Sequence, residues 1–169
     1  GYELVQNTIS SSKSTFENEG YLKRLRQEIA KYKIEENILF PNVRAMLNIL
    51  KKRNITLCIC TNKASSLVKK ILFDLKIHAY FKNIVADGDL DTRKPSKNNF
   101  TACMQGIKFI NSECLIIGDS EVDLKFAKNV GVDFLAYNNK TNIEFIWNYG
   151  GAFFEDYTQL SESKLIFSS

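Results

Sequence analysis

Metal-binding and disulfide patterns are lacking in this sequence. It contains a single histidine, His78, and four cysteines at positions 58, 60, 103 and 114, with no Cys-x-x-Cys pair among them. A structural zinc site needs four closely spaced ligands, and a disulfide-stabilised domain needs a denser set of cysteines. The sequence therefore predicts neither, and free thiols in a reducing cytoplasm are the simplest interpretation. Cys58 and Cys60 lie in a predicted strand, and we assign them to packing.

Long apolar runs, basic clusters and dinucleotide-binding motifs are lacking as well. No run approaches the roughly 18 to 20 apolar residues of a membrane-spanning helix, and the first residues do not resemble a secretory signal. No Gly-x-Gly-x-x-Gly motif opens a predicted helix. The net charge of +4 comes from lysines scattered among acidic residues. We therefore expect a cytoplasmic protein that binds neither a membrane nor nucleic acid.

The two ends of the chain differ in character. The chain has 169 residues, 44% of them apolar, which is enough for one globular domain with a small appendage. The first 18 residues are rich in serine, threonine and asparagine and predict a loop or a mobile end. Apolar residues spaced by three and four predict an amphipathic helix over residues 19–33. These apolar residues are Leu22, Leu25, Ile29 and Tyr32. We interpret residues 1–36 as a mobile segment plus the remnant of a helical cap, and residues 37–169 as the core domain.

From residue 37 onward, short apolar strands alternate with helices. This alternation is typical of βαβ units, so the sequence predicts an α/β fold with a Rossmann-like parallel sheet and helices on both faces. Asn42 is predicted to cap the first helix of this region, and Trp147 to anchor the last helix on the sheet. The predicted strands cover residues 55–60, 83–86, 114–117, 132–136 and a short segment near 151–154. The predicted helices cover residues 64–75, 96–108, 120–129 and 141–148.

The strand over residues 114–117 ends in a glycine followed by two acidic residues one helical turn apart. Gly118 allows a tight exit from the strand, and Ser120 is placed to cap the helix that follows. Asp119 and Asp123 are four residues apart and therefore share one side. Carboxylates at the mouth of a sheet are suitable ligands for Mg²⁺. The alternative is that these acids only stabilise the helix N-terminus.

Two further polar groups follow predicted strands. Thr61 and Asn62 come after the strand over residues 55–60 and could bind a phosphate, although the same residue types also cap helices. Lys94, followed by Pro95, could supply a fixed positive charge for a phosphoryl group, or it could be an ordinary loop lysine. Because ligands of open parallel sheets bind beyond the carboxyl ends of the strands, we expect these groups to lie near one another.

Taken together, the three groups are far more specific than any one of them. Thr61-Asn62, then Lys94-Pro95, then Gly118-Asp119 with Asp123 one turn later resemble the second, third and fourth motifs of the haloacid dehalogenase (HAD) superfamily. The spacing is similar to that of its phosphoglycolate phosphatase-like branch, and the resemblance covers roughly residues 36–160. It implies a bacterial, cytoplasmic Mg²⁺-dependent phosphatase. Such an enzyme hydrolyses a small phosphorylated metabolite through an aspartyl-phosphate intermediate.

The resemblance also implies a role for each residue. Thr61 and Asn62 would bind the transferring phosphoryl group, and Lys94 would neutralise its charge and hold the nucleophile. Asp119 would ligate Mg²⁺, and Asp123 would ligate it or order its waters. Lys94 and Thr61 are thus the expected catalytic residues. The identity of the phosphate ester and the oligomeric state stay open.

The first motif of the family, an apolar strand followed by Asp-x-Asp-Gly-Thr, is not found in residues 1–40. Asp87-Gly88-Asp89 and Asp89-Leu90-Asp91 mimic its spacing, but they lead directly into Lys94 and belong to the lysine motif. The nucleophile could lie upstream of Gly1, could be omitted from the chain, or could be lost in a degenerate paralogue. We favour a missing N-terminal portion, without which this chain should be inactive.

Two other functional classes are alternatives to a phosphatase. A catalytically inactive relative could still bind Mg²⁺ or a phosphorylated ligand through the same residues. A phospho-acceptor receiver domain also combines acids, a threonine and a lysine on a doubly wound sheet. The order of the motifs disfavours it, because a receiver places its acids first and its lysine last, whereas Asp119 follows Lys94 here.

Overall fold

The computed structural model describes Gly20, Lys23, Arg24, Gln27, Glu28 and residues 31–162. The chain divides into two compact units, residues 1–34 and residues 35–169. In the first unit the described residues from Gly20 to Lys31 are helical, and Glu28 forms an ion pair with Lys31. The loop predicted for residues 1–18 and the apolar positions Leu22, Leu25 and Ile29 of the predicted helix lie outside the described residues.

The second unit alternates strands and helices along its length. Its helices are α1 (Val43–Lys52), α2 (Ser65–Asp74), α3 (Lys97–Cys103), α4 (Glu121–Val130) and α5 (Ile143–Tyr149). Its strands are β1 (Leu57–Ala64), β2 (Phe81–Asp87), β3 (Leu115–Gly118), β4 (Asp133–Tyr137) and β5 (Phe153–Phe154). Among the described residues, none of the helices combines the length and the hydrophobicity needed to cross a bilayer.

All strand pairs in this unit are parallel, which confirms the predicted α/β class. β1 pairs with β2, with Ile59 opposite Ile84. β3, β4 and β5 form a second sheet in that order, with Ile117 of β3 opposite Leu135 of β4. The sheet is therefore divided in two, because no described strand lies between β1 and β3.

The core lies between α1, the β4–β5 pair and a 3₁₀ helix, Tyr157–Glu162, that contributes Leu160. α1 contributes Met46 and Leu50, which repeat on one helix face. β4 contributes Leu135 and Tyr137, whose ring lies 5.1 Å from that of Phe154. Burial of these side chains stabilises the packing of α1 against β4 and β5, since the removal of apolar surface from water is the main favourable contribution to folding.

Several element ends differ from the sequence-based prediction. Asn42 does not cap α1 with its side chain; it adopts a left-handed conformation with φ 63° and its amide donates to Asp156 at 2.9 Å. The helix predicted over residues 96–108 ends at Cys103, and Gly106 follows with φ 70°. β1 continues to Ala64, so Asn62 lies within a strand instead of after one.

The anchoring role predicted for Trp147 is wrong. Its side chain is 81% exposed, whereas Ile146 beside it is only 8% exposed. A shift of one residue turns a helix by about 100°, so neighbouring apolar residues cannot both face the sheet. Ile146 is therefore the residue that α5 buries in place of Trp147.

Candidate active site

Direct contacts connect the three polar groups singled out in the sequence. Asn62 on β1 hydrogen-bonds to Lys94, Lys94 forms an ion pair with Asp123, and Asp123 accepts from the backbone N–H of Asp119. Because Asn62 and Gly118 lie toward the carboxyl ends of β1 and β3, both strands run toward this cluster. The fold thus brings together residues that are up to 61 positions apart in the chain, at the sheet edge where α/β proteins bind ligands.

Asn62 fixes the backbone of Lys94. Its side-chain Nδ2 donates to the Lys94 carbonyl oxygen at 3.1 Å, and its Oδ1 accepts from the Lys94 N–H at 2.9 Å. The Lys94–Pro95 peptide bond is cis, and the carbonyl of Pro95 accepts from Asn129 on α4. The lysine is therefore held from both sides of its loop, by β1 and by α4.

The ammonium of Lys94 points at a carboxylate. Its Nζ lies 2.5 Å from Asp123 Oδ1, and the two side chains are only 13% and 10% exposed. An ion pair so far out of water is sensitive to the loss of either partner, since the remaining charge would stay buried. Lys94 is consequently an ordered cation and not a solvated loop lysine.

Both carboxylate oxygens of Asp123 have partners in the protein. Oδ1 accepts from Lys94, while Oδ2 accepts from the Ser120 hydroxyl at 2.6 Å and from the Asp119 N–H at 3.2 Å. The Ser120 hydroxyl also accepts from the Asp123 N–H, which confirms Ser120 as the cap of α4. Asp123 thus ties the start of α4 to Lys94, and its predicted part in metal binding stays a prediction.

Gly118 is required by the position of Asp123. A Cβ atom added at Gly118 would lie 2.3 Å from Asp123 Cβ and 2.7 Å from its Oδ2. Real Cβ contacts are never so short, and the obstructing atoms include the root of the side chain. Only glycine therefore allows Asp123 to reach Lys94 beneath the end of β3.

Replacing Gly118 with alanine should lower the free energy of unfolding by about 2 kcal/mol, because Asp123 must move and its bond to Lys94 lengthens. Urea denaturation measures the change. Gly88→Ala is the comparison, since a Cβ there meets no atom within 4 Å and the strain comes only from φ 90°; its expected loss is about 1 kcal/mol. If Gly118→Ala were as stable as the wild-type chain, a Cβ atom at position 118 would not displace Asp123.

The loop after β4 holds Asp119, and the sequence analysis missed it. Asn139 Nδ2 donates to Asp119 Oδ2 at 2.9 Å, and Asn142 Nδ2 donates to the Asp119 carbonyl at 2.8 Å. Asn142 also donates to the carbonyl of Tyr137 at the end of β4. The signal available in the sequence was a run of asparagines directly after a predicted strand, the position at which the other site residues occur.

Thr61 and the acids of the lysine loop have local partners. The Thr61 hydroxyl oxygen accepts from the Lys63 N–H at 3.2 Å. Asp87 forms an ion pair with Arg93 at 3.1 Å, and Asp89 accepts from the Ala86 N–H at 2.9 Å, closing the turn after β2. Asp87 and Asp89 therefore stabilise the loop that leads to Lys94 through local contacts.

A thiol pair lies beside the ion pair. A hydrogen bond with Cys103 lowers the pKa of the Cys60 thiol, and the Lys94 ammonium lowers it as well, against the opposing effects of burial and of Asp123. The hydrogen bond with Cys60 and burial raise the pKa of Cys103. Cys60 is therefore the more acidic thiol of the pair, and all four cysteines are free.

The residues present fit half of a magnesium site. Within the described part of the chain, no group of three or more histidine, cysteine, aspartate or glutamate side chains is arranged to hold a metal ion. Asp119 is nevertheless an oxygen ligand of the right kind, fixed at the sheet edge by Asn139. Mg²⁺ is often held by one or two carboxylates together with water and substrate phosphate. Asp119 would supply one of these carboxylates.

Comparison with known proteins identifies the same resemblance over most of the chain. The sequence model of the haloacid dehalogenase-like hydrolase family matches residues 2–137. The phosphoglycolate phosphatase of Salmonella typhimurium is 27% identical over 135 residues, which cover 80% of this chain and 49% of that protein. The chain thus spans about half the length of this curated relative.

Solved structures support the fold. A HAD hydrolase from Entamoeba histolytica superimposes with a TM-score of 0.74 at 14% identity, covering 97% of this chain and 76% of that one. The protein YfnB from Bacillus subtilis, crystallised bound to magnesium, gives a TM-score of 0.53 at 30% identity over 57% of this chain and 43% of that one. With the family match over residues 2–137, these findings confirm the fold and the resemblance. The chain belongs to the haloacid dehalogenase-like hydrolase family.

Proposed function

We propose that this chain forms the core of a Mg²⁺-dependent phosphatase that hydrolyses a small phosphorylated metabolite through an aspartyl-phosphate intermediate. The observation that carries the proposal is the unbroken set of contacts from Asn62 through Lys94 and Asp123 to Asp119. A buried, ordered cation next to a carboxylate at a sheet edge is suited to stabilising the charge of a transferring phosphoryl group.

Each residue has a distinct part in this proposal. Lys94 would contact the phosphoryl oxygens and the nucleophile, while Asn62 holds the Lys94 backbone so that the ammonium does not need to be ordered during the reaction. Thr61 would donate its hydroxyl to the phosphoryl group. Asp119 would hold the metal, which when bound neutralises developing negative charge on the phosphate. Asp123 would keep Lys94 and Asp119 at a fixed separation.

The comparisons support the substrate class. The Salmonella typhimurium relative is a phosphoglycolate phosphatase, and the related Bacillus subtilis structure contains magnesium. A small organic phosphate is therefore the proposed substrate, in the cytoplasm where the four thiols would stay reduced. We also propose that residues 1–36 comprise an N-terminal segment together with the remnant of a helical cap, and that residues 37–169 form the α/β core. The nucleophile would come from an Asp-x-Asp strand, which residues 1–40 lack.

Metal removal tests the proposal. The complete gene product should release phosphate from p-nitrophenyl phosphate and from phosphoglycolate when Mg²⁺ is present. EDTA should lower the rate at least about 100-fold, and added Mg²⁺ should restore it, because several kcal/mol of charge stabilisation come from the metal. Activity that survives EDTA treatment would rule out the metal-dependent mechanism.

A binding module without catalysis is the second candidate. The observation that favours it is that Lys94 is already neutralised by Asp123, with both oxygens of that carboxylate used by protein donors. Such a protein would be stabilised thermally by phosphate together with Mg²⁺ but would not turn over any phosphate ester. The two candidates therefore differ in one measurement on the complete gene product, which is the release of phosphate.

A further inference from the structure

Cysteine side chains meet where the end of α3 packs on β1. Cys58 and Cys60 lie two residues apart in β1 and therefore face the same side of the strand. Cys103 is the last residue of α3. Its Sγ donates to the Ile59 carbonyl at 3.2 Å, and its own carbonyl accepts from Cys58 Sγ at 3.4 Å. The strand and the helix are thus joined through contacts of their sulfur atoms.

Cys103 is also fixed from β2. Asn83 Nδ2 donates to the Cys103 carbonyl at 2.7 Å and to the Gln105 carbonyl at 2.9 Å. Cys103 is only 3% exposed, and a hydrogen bond joins its thiol to that of Cys60. The two sulfur atoms are therefore in contact in the folded chain. A disulfide bond, about 2.05 Å long, would form by shortening this contact.

Cys60 is the thiol suited to react first. The thiolate is the nucleophile in thiol oxidation, and the hydrogen bond with Cys103 and the Lys94 ammonium both lower the pKa of Cys60. Cys60 and Cys103 line a cavity of about 480 Å³, so a small oxidant has room to approach them. Cys114 lines the same cavity, but burial raises the pKa of its thiol. The two thiols therefore differ in reactivity at similar access.

We propose that Cys60 and Cys103 form a reversible modification site, at which hydrogen peroxide converts the two thiols into a disulfide. The Cys60 thiolate attacks one peroxide oxygen, the O–O bond breaks, and Cys60 becomes a sulfenic acid as hydroxide leaves and takes up the thiol proton. The Cys103 sulfur then attacks the Cys60 sulfur, the S–O bond breaks, and the hydroxyl group leaves with the Cys103 proton as water. In a reducing compartment, thiol exchange returns the pair to its resting dithiol form.

The disulfide would change the support of Lys94. Once Cys103 has lost its S–H, the Ile59 carbonyl loses this donor, and the shorter sulfur contact moves β1 relative to the end of α3. Asn62 follows Cys60 by two residues and forms both hydrogen bonds that fix the Lys94 backbone. Oxidation should therefore displace Lys94 and lower activity. This consequence rests on the proposed function, whereas formation of the disulfide does not.

Peptide mapping tests the disulfide. The purified chain is treated with hydrogen peroxide, the remaining thiols are blocked with N-ethylmaleimide, and the tryptic digest is analysed by mass spectrometry without reduction. We expect a cross-link between peptides 54–63 and 98–108, which contain Cys60 and Cys103, and its loss after dithiothreitol treatment. Peptide 54–63 also contains Cys58, so variants are needed to identify the partner. Cys58→Ser should keep the cross-link, and Cys60→Ser should lower its yield at least about tenfold.

Cys114 is the internal control for reactivity. At limiting peroxide, Cys60 should be oxidised at least about tenfold faster than Cys114, although both line the same cavity. Equal rates would overturn the proposal, and so would a cross-link that forms only after unfolding in urea. A cross-link that persists in Cys60→Ser would assign the disulfide to Cys58 and would also overturn the proposed pair.

The complete gene product separates this inference from the proposed function. Peroxide should lower its rate of phosphate release at least about tenfold, and dithiothreitol should restore the rate. Cys103→Ser should keep the basal rate and lose the sensitivity, because a serine hydroxyl can still donate to the Ile59 carbonyl. A disulfide in a protein that releases no phosphate even when reduced would keep the modification site and contradict the proposed function. Full activity of the cross-linked protein would overturn the effect on Lys94.

Discussion

Replacing Asp119 with asparagine is expected to lower kcat/KM for phosphate esters about 1000-fold in the complete gene product, a loss of about 4 kcal/mol of transition-state stabilisation. The substitution keeps the shape of the side chain, and its Oδ1 can still accept the hydrogen bond that Asn139 donates. What it removes is the negative charge that would hold Mg²⁺. The measurement is the rate of phosphate release over a range of Mg²⁺ concentrations.

The control for this variant lies at the opposite end of the sheet. Asp133 begins β4 and is exposed, so Asp133→Asn removes the same charge far from the carboxyl edge and should leave the rate unchanged. A partial recovery of Asp119→Asn at high Mg²⁺ would show that the lost function is metal affinity. If Asp119→Asn retained the full rate at limiting Mg²⁺, Asp119 would not be a metal ligand.

The sequence predicts well what depends on local chemistry. An apolar run, a glycine and a serine before a helix indicate where β3 ends and α4 begins, and the structure has Ser120 capping α4 and Gly131 ending it with φ 68°. The alternation of strands and helices predicts the α/β class for the same reason. These patterns can be interpreted because each element's face, start and end are decided by residues within a few positions of one another.

The contacts between distant segments could not be predicted from local patterns. Nothing near Asp123 indicates that its carboxylate meets Lys94, which is 29 residues earlier in the chain. Nothing near Asn139 indicates that its amide holds Asp119, because the bond depends on how β3 and β4 are aligned. Sequence reasoning placed Asn62, Lys94 and Asp119 at one sheet edge, where the structure has them, while the pairing among them follows from the packing of α4 and of the loop after β4.

The second large effect concerns stability. Replacing Asp123 with alanine is expected to lower the free energy of unfolding by about 3 kcal/mol, measured by urea denaturation. The change leaves the Lys94 ammonium buried without its partner and removes the acceptor for the Ser120 hydroxyl and the Asp119 N–H. Each of these losses leaves a polar group without its hydrogen-bonding partner in a site that water reaches poorly, and this lowers the free energy of unfolding.

An exposed ion pair of the same helix is the matched control. Glu121 and Lys125 lie 3.2 Å apart, but their side chains are 67% and 64% exposed, so Glu121→Ala should change stability by less than about 0.5 kcal/mol. The double variant Lys94→Met, Asp123→Leu should recover part of the loss, since it removes both charges and fills the space with apolar atoms. A loss in Asp123→Ala no larger than in Glu121→Ala would mean that Lys94 can reach water and that the ion pair does not hold the site together.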